Sequence, residues 1–395
     1  MEMLQDTFCG GEYMRYGHLE RVQIKLRALS PVFIGSGESL TKKEYILDKK
    51  SGSIYIPDLG KLTGFLAERS ILSNFEEYLL QPRNNDLYTF LEENKVSHND
   101  YDKFVLYSLE AGEVVTQEKF RGILTFFKGS DGLPYIPGSS LKGAIRTAIA
   151  IKLLEKGSFE SNLSDIERAA DDFRSPRHYV TNATNSLESQ LFCKLGMTDP
   201  RNPNRLKWND IINDFMRGIQ ISDSKPMNFD VLTISGKYDR KPDGFINSLP
   251  IYRECLVPGS IAEFTMTLDR PVLSKLGIDV NFIKESLISF ADIQDKQFIQ
   301  HFSKLREDVE PPVNQGITIV IGGGAGYVSK TITYSLFQDR QRGLKIVGKM
   351  MAKQFPIHKH ENDAAVHKVS PHTLKTTMYK AKYYEMGRCE LEFLS

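Results

Sequence analysis

The chain has few cysteines, no long apolar run and almost no net charge. Its four cysteines, Cys9, Cys193, Cys255 and Cys389, are too scattered for a disulfide framework or a paired-cysteine zinc site. They are expected as buried, reduced thiols. No apolar stretch approaches the ~20 residues that a bilayer-spanning helix needs. The opening Met1-Glu2-Met3-Leu4-Gln5-Asp6 has neither the basic start nor the apolar stretch of a signal peptide, so the expected location is cytoplasmic. The 395 residues, 41% of them hydrophobic, are enough for two packed domains.

The net charge of +1 conceals an asymmetry. Eleven Lys or Arg lie between Arg340 and Arg388, against three acids (Glu361, Asp363 and Glu385), a local +8 that leaves −7 for the rest. Tyr379, Tyr383 and Tyr384 are interleaved with those cations. Such a segment reads as a surface for a polyanion whose bases stack on the tyrosines, or as a solvated basic face.

The most informative run is Tyr135-Ile136-Pro137-Gly138-Ser139-Ser140-Leu141-Lys142-Gly143-Ala144-Ile145-Arg146-Thr147. Pro137-Gly138 predicts a turn, with Ser139 or Ser140 as helix cap. Leu141, Ala144, Ile145, Ala148 and Ile149 then recur at helical spacing. Lys142 and Arg146, four apart, share another face. Backbone donors, two hydroxyls and two cations at one helix start suit a phosphate. An ordinary capped amphipathic helix accounts for the same segment.

A glycine-rich loop, Gly322-Gly323-Gly324-Ala325-Gly326-Tyr327, follows the apolar strand Ile317–Ile321. It has neither the third glycine of a dinucleotide-binding fingerprint nor the Gly-Lys of a P-loop, so no nucleotide cofactor is expected. It reads as a tight connection, or as a backbone cradle for phosphate with Lys330 near it. His358, His360, His367 and His372 fit no standard zinc spacing, so no metal is expected either. Asp223 and Asp48 are the isolated carboxylates, and Asp223 reads as a local turn residue.

Alternation of Val22, Ile24, Leu26 and Ala28 predicts a half-buried strand over 21–28, which Gly35 and Gly37 end in a loop. Short strands are expected at 54–57 and 123–127 and helices at 59–70 and 141–155. Residues 158–218 are polar and turn-rich, and read as an insertion or interdomain segment. Beyond them come strands at 260–269 and 317–321, a helix over 281–305, and an alternating strand at the end. Strand–helix–strand order in both halves predicts an α+β fold in two units.

Three motifs carry a resemblance. The Tyr135–Thr147 segment resembles the Gly-Ser-Ser-Leu-Lys-Gly-Ala-Ile-Arg signature of the CRISPR-associated RAMP superfamily. Ser30-Pro31-Val32-Phe33-Ile34-Gly35-Ser36-Gly37-Glu38 resembles its opening strand-to-loop element, and Ile319–Tyr327 its C-terminal glycine-rich loop. Their order and spacing are most similar to the subunit that caps the crRNA 3′ side of the type III-A effector, the Csm complex. The resemblance implies two ferredoxin-like, RRM-related RAMP domains, 1–218 and 219–395, with a polar helical insertion at about 158–218. It also implies a non-catalytic crRNA-binding subunit in antiviral defence. Its partners would be the 3′ portion of crRNA, the backbone RAMP subunits, and host exoribonucleases that trim the crRNA end. The residues expected at RNA are Ser36, Gly37, Ser139, Ser140, Lys142, Arg146, Gly323, Gly324, Gly326 and Lys330. The rival readings are an endoribonuclease acting on pre-crRNA, with His18 as its candidate histidine, and a structural spacer with little RNA contact.

Overall fold

The computed structural model describes residues 17–82, 86–116, 120, 122–171, 180–199, 202–206, 210–305, 309 and 316–394. Cys9 lies outside them. Cys255 and Cys389 are buried free thiols, and Cys193 is half-buried. No helix among the described residues is long and apolar enough to cross a membrane.

The first sheet is organised around Leu19–Ala28. Its alternation is realised: Ile24, Leu26 and Ala28 are buried, while Arg21, Gln23 and Arg27 face water. This strand pairs antiparallel with Ile261–Asp269 on one side and Arg388–Leu394 on the other. Ile219–Ile221 and Ile317–Val320 form the two edges. The helices Gly138–Glu155 and Val280–Gln297 pack on each other and on this sheet. Leu26, Leu141, Ile145 and Ile149 are fully buried in the shared core. Each such side chain contributes roughly 1.5–3 kcal/mol by leaving water.

Followed along the chain, this unit runs strand, helix, strand, strand, helix, strand. Of the long connections that leave it, 298–387 lays Ile317–Val320 on its edge, and that one, 29–137 and 222–260 all contribute strands to a second sheet. Its six strands lie in the order Lys382–Glu385, Leu374–Tyr379, Leu232–Arg240, Ile246–Leu256, Gly122–Phe126, Gly35–Thr41. One pair is parallel, Tyr252 and Arg253 opposite Ile123 and Leu124.

Two features differ from the sequence reading. The loop expected after Gly35 is the edge strand Gly35–Thr41, paired with Gly122–Phe126 and irregular between Gly35 and Ser39. The glycines mark a bulge within a strand, which period-two alternation cannot reveal. Second, both sheets draw strands from either side of residue 218, so a division there separates paired strands.

The 158–218 segment contains the helices Glu160–Asp171 and Thr181–Phe192 and a short hairpin, Thr198–Asp199 with Asn202–Leu206. Leu163, Ile166, Leu187 and Leu191 anchor it in the main core. A satellite unit lies within 46–110. There, the strands Ile46–Asp48, Ser53–Pro57 and Val105–Glu110 and three helices enclose Leu62, Phe65, Leu66 and Phe90.

Candidate nucleic-acid interface

The glycine loop emerges from Ile317–Val320 and turns over the 30–37 segment. Gly322, Gly324 and Gly326 all have left-handed backbone, with φ of 85°, 82° and 91°. The first two are also held by close neighbours. A Cβ on Gly322 would overlap the Phe33 carbonyl oxygen, and one on Gly324 would overlap the Arg253 guanidinium. The Gly323 N–H donates to Phe33 O at 2.7 Å. The Phe33 ring lies under this turn, and the Arg253 guanidinium lies 5.2 Å from its centroid.

The remaining loop amides are differently disposed. Among the described residues, the N–H groups of Gly324 and Gly326 donate to no backbone acceptor, while the Ala325 N–H turns back toward Gly322 to close the turn at Gly323 and Gly324. Amides beside left-handed residues form an anion-binding concavity. Around it lies an open cleft of ≈ 380 Å³ whose lining includes Lys237, Lys330 and Lys375. Lys375 pairs with Asp239, its opposite neighbour in the sheet, at 2.8 Å. Lys330 is exposed, and among the described residues neither it nor Lys237 has an ion-pair partner. Burial holds the Lys237 ammonium below its ordinary lysine value. Asp239 opposes this, while Lys375 and Arg253 add to it. Arg253 is 9% exposed and its Nε has no hydrogen-bond partner. Cations crowded and partly dehydrated beside unpaired amides favour an anion among them.

The Ser36–Gly37 element lies next to this turn in sequence. Gly35 packs on the Phe33 ring, and Ser36 Oγ is 2.6 Å from Thr125 Oγ1. Gly37 is exposed, with φ of 91° and open space at its Cβ position.

The helix start at Gly138 is built otherwise than its sequence implies. Pro137 is the cap residue, and no side chain of the 135–147 run caps the helix. Ser139 and Ser140 already belong to it. The Gly138 N–H donates instead to the Asp223 carboxylate at 2.8 Å, and the Ile136 N–H to Ser224 Oγ at 2.9 Å. Gly138 is packed against the Ile221 and Ser222 carbonyls. A protein carboxylate thus occupies the position expected for phosphate. The same contact corrects the reading of Asp223 as a local turn residue.

Lys142 and Arg146 do share a face. Arg146 Nη1 pairs with Asp214 Oδ2 at 2.7 Å, and its guanidinium carbon lies 3.6 Å from the Phe192 ring centroid. Burial holds Lys142 below the ordinary lysine value; Asp214 opposes this and Arg146 adds to it. Arg146 and Lys330 border one pocket of ≈ 290 Å³ between Gly138–Glu155, Thr181–Phe192 and residues 327–337. Tyr327 and Lys330 line both this pocket and the lysine cleft. The Gly138–Glu155 helix and the segment that follows the glycine loop thus share one pocket through Arg146 and Lys330.

Much of the basic segment is neutralised internally. Arg342 pairs with Glu167, Lys349 with Asp171, and Arg388 with Glu385. Arg340 donates to the Lys368 carbonyl. Tyr383 lies against Arg240, at 4.0 Å from its guanidinium carbon. The local +8 is therefore not a continuous cationic face.

His360, Asp363 and His372 come together as a possible metal-ligand set. The Nδ1 atoms of His360 and His372 lie 2.9 and 2.6 Å from the Asp363 carboxylate, which also accepts from Ser370 Oγ. The two imidazoles are tilted by only 36° at 4.5 Å. With both Nδ1 atoms and the Ser370 hydroxyl on one carboxylate, the cluster is also a hydrogen-bonded staple. His18 is exposed, before the first strand.

Lys237, Arg253, Lys375 and Phe33 were not expected at the site. A period-two reading of Thr233, Ser235, Lys237 and Asp239 as one polar strand face would have flagged the first.

The model of the RAMP superfamily matches residues 25–328. Among curated proteins, the chain is 28% identical to the CRISPR system Cms protein Csm5 of Mycobacterium tuberculosis (strain CDC 1551 / Oshkosh), over 95% of this chain and 98% of that protein. It is 26% identical to the Csm5 protein of Enterococcus italicus, over 95% and 98%. Among solved structures, a chain of a Csm–crRNA–target RNA ternary complex of a type III-A CRISPR-Cas system superposes with a TM-score of 0.63 at 20% identity, covering 94% of this chain and 100% of that one. The T. onnurineus Csm5 crystal structure gives 0.61 at 20%, covering 93% and 99%. With well over half its length matched by the family, and with the glycine loop and the Gly138 helix in one fold, the chain belongs to the RAMP superfamily.

Proposed function

We propose that this protein is a non-catalytic crRNA-binding subunit of a type III-A effector, capping the complex on the crRNA 3′ side and supporting 3′-end maturation. The observation that carries the reading is the cleft formed by Gly324, Ala325 and Gly326 with Lys237, Lys330 and Lys375. It offers amide donors and cations to a phosphate backbone and no means of reading sequence. Asp239, the carboxylate beside it, is tied to Lys375, which supports a binding role over an acid–base one. Trimming of the crRNA end is then the work of a separate exoribonuclease, and neighbouring backbone RAMP subunits hold the protein in register.

The first sheet and its two helices have the strand order of a ferredoxin-like unit, with Ile317–Val320 added at the edge. We read the second sheet, with its parallel pair, as an RNA-facing platform built on that unit.

The test is binding of labelled crRNA to purified protein across a salt series, with pre-crRNA incubated in parallel. Affinity should fall steeply with salt, because lysines on phosphate release counterions. The pre-crRNA should stay intact. Salt-insensitive binding would favour the spacer reading, and a defined cleavage product the endoribonuclease.

A further inference from the structure

We infer that the pocket bordered by Arg146 and Lys330 receives one nucleobase of the bound RNA, turned out of the strand beside the lysine cleft; this rests on the RNA-binding reading above. The first ground is adjacency. The cleft, with its amides and lysines, suits phosphate, and the pocket suits something flatter and less polar. They meet at Tyr327 and Lys330, so a strand whose phosphate lies in the cleft has a base at the pocket mouth.

The second ground is the lining. Leu187, Leu191, Phe192 and Phe337 are buried and supply apolar walls. One wall carries three linked hydroxyls: Thr331 Oγ1 lies 3.0 Å from Tyr327 Oη and 2.8 Å from Thr333 Oγ1. A nucleobase has the matching character, an apolar face with a hydrogen-bonding edge. Hydroxyls that both donate and accept suit any of the four bases.

The third ground is size and charge. At ≈ 290 Å³ the pocket lies at the small end of ligand sites, which span roughly 300–1,000 Å³. It cannot admit a partner helix about 10 Å across. The lining carries two cations, Arg146 and Lys330, against one carboxylate, Glu188, a balance that suits a neutral base joined to a phosphate in the cleft more than a cationic side chain.

The experiment uses the whole protein and a fluorescent single-stranded RNA in which each position is made abasic in turn. For the unaltered protein, loss of one base should weaken binding roughly tenfold, within the range for stacking a base on aromatic side chains, and the other positions should matter little. Ile332→Trp fills the pocket from its half-buried wall. It should bind intact RNA about as weakly as the unaltered protein binds the critical abasic RNA, and should be indifferent to that lesion. Thr333→Val keeps the shape, removes one hydroxyl, and should give a smaller loss at the same position; it carries the test if Ile332→Trp does not fold. A flat abasic series with salt-dependent RNA binding intact overturns the inference and leaves the RNA-binding reading standing. A flat series in which Ile332→Trp instead fails to join its partner subunits assigns the pocket to a protein side chain, and also overturns it. Absence of RNA binding in every arm removes both readings.

Discussion

The Asp223 carboxylate accepts the Gly138 N–H at 2.8 Å, across 85 residues of chain. A helix whose sequence looks self-capped is thus closed from a distant loop. Asp223→Ala should destabilise the protein by about 1 kcal/mol, the usual worth of such a cap, and leave RNA affinity unchanged. Urea denaturation and RNA titration together check this. A loss of affinity without loss of stability would show that the helix start faces RNA after all.

Lys237 and Lys330 both line the cleft and lack ion-pair partners among the described residues. Replacing both with Ala should lower the slope of log affinity against log salt by roughly 1.4, two phosphate contacts on a single strand. Stability should change by no more than about 0.5 kcal/mol per site, as for other changes that break no pairing. The two slopes, measured over one salt series, decide the matter.

Gly324 and Arg253 compete for the same space. Gly324→Ala should destabilise by roughly 1–3 kcal/mol, because it adds an overlap with the guanidinium to a left-handed backbone at φ 82°. Arg253→Ala in the same chain should recover the steric part and leave the backbone part. A double-mutant cycle read by denaturation should therefore give a clear coupling energy. Additive effects would mean that the two residues do not meet.

Burial raises the Asp363 carboxyl, but hydrogen bonds from His360, His372 and Ser370 more than offset it and bring it down to about 2. A carboxyl depressed on folding adds stability above its unfolded value near 4, and loses it as pH falls toward 2. Asp363→Asn should therefore lower stability at neutral pH by on the order of 2 kcal/mol and flatten the acid limb between those values. Denaturation curves from pH 7 to pH 2 provide the check.

These contacts mark what the sequence can and cannot disclose. Leu19–Ala28 and the Gly138 helix are legible because one strand face or one helix stripe decides their burial locally. The glycine loop is legible as a place that rejects side chains. Why it rejects them is not, since the Phe33 carbonyl and the Arg253 guanidinium come from other connections. Arg146 looks like a solvated cation until Asp214 and Phe192 arrive around it. Lys237 sits on an ordinary polar strand face, and only the fold puts Lys330 beside it. Cleft residues carried within one motif, Gly324, Gly326 and Lys330, are legible in the sequence, whereas those gathered from separate segments are not.

The central strand Leu19–Ala28 is flanked on one side by Arg388–Leu394, which follows all three long connections in the chain. Phe33, Lys237, Arg253 and the glycine loop hang from three separate excursions off that frame. The cleft is therefore complete only when all three excursions have returned to the frame and Arg388–Leu394 has paired.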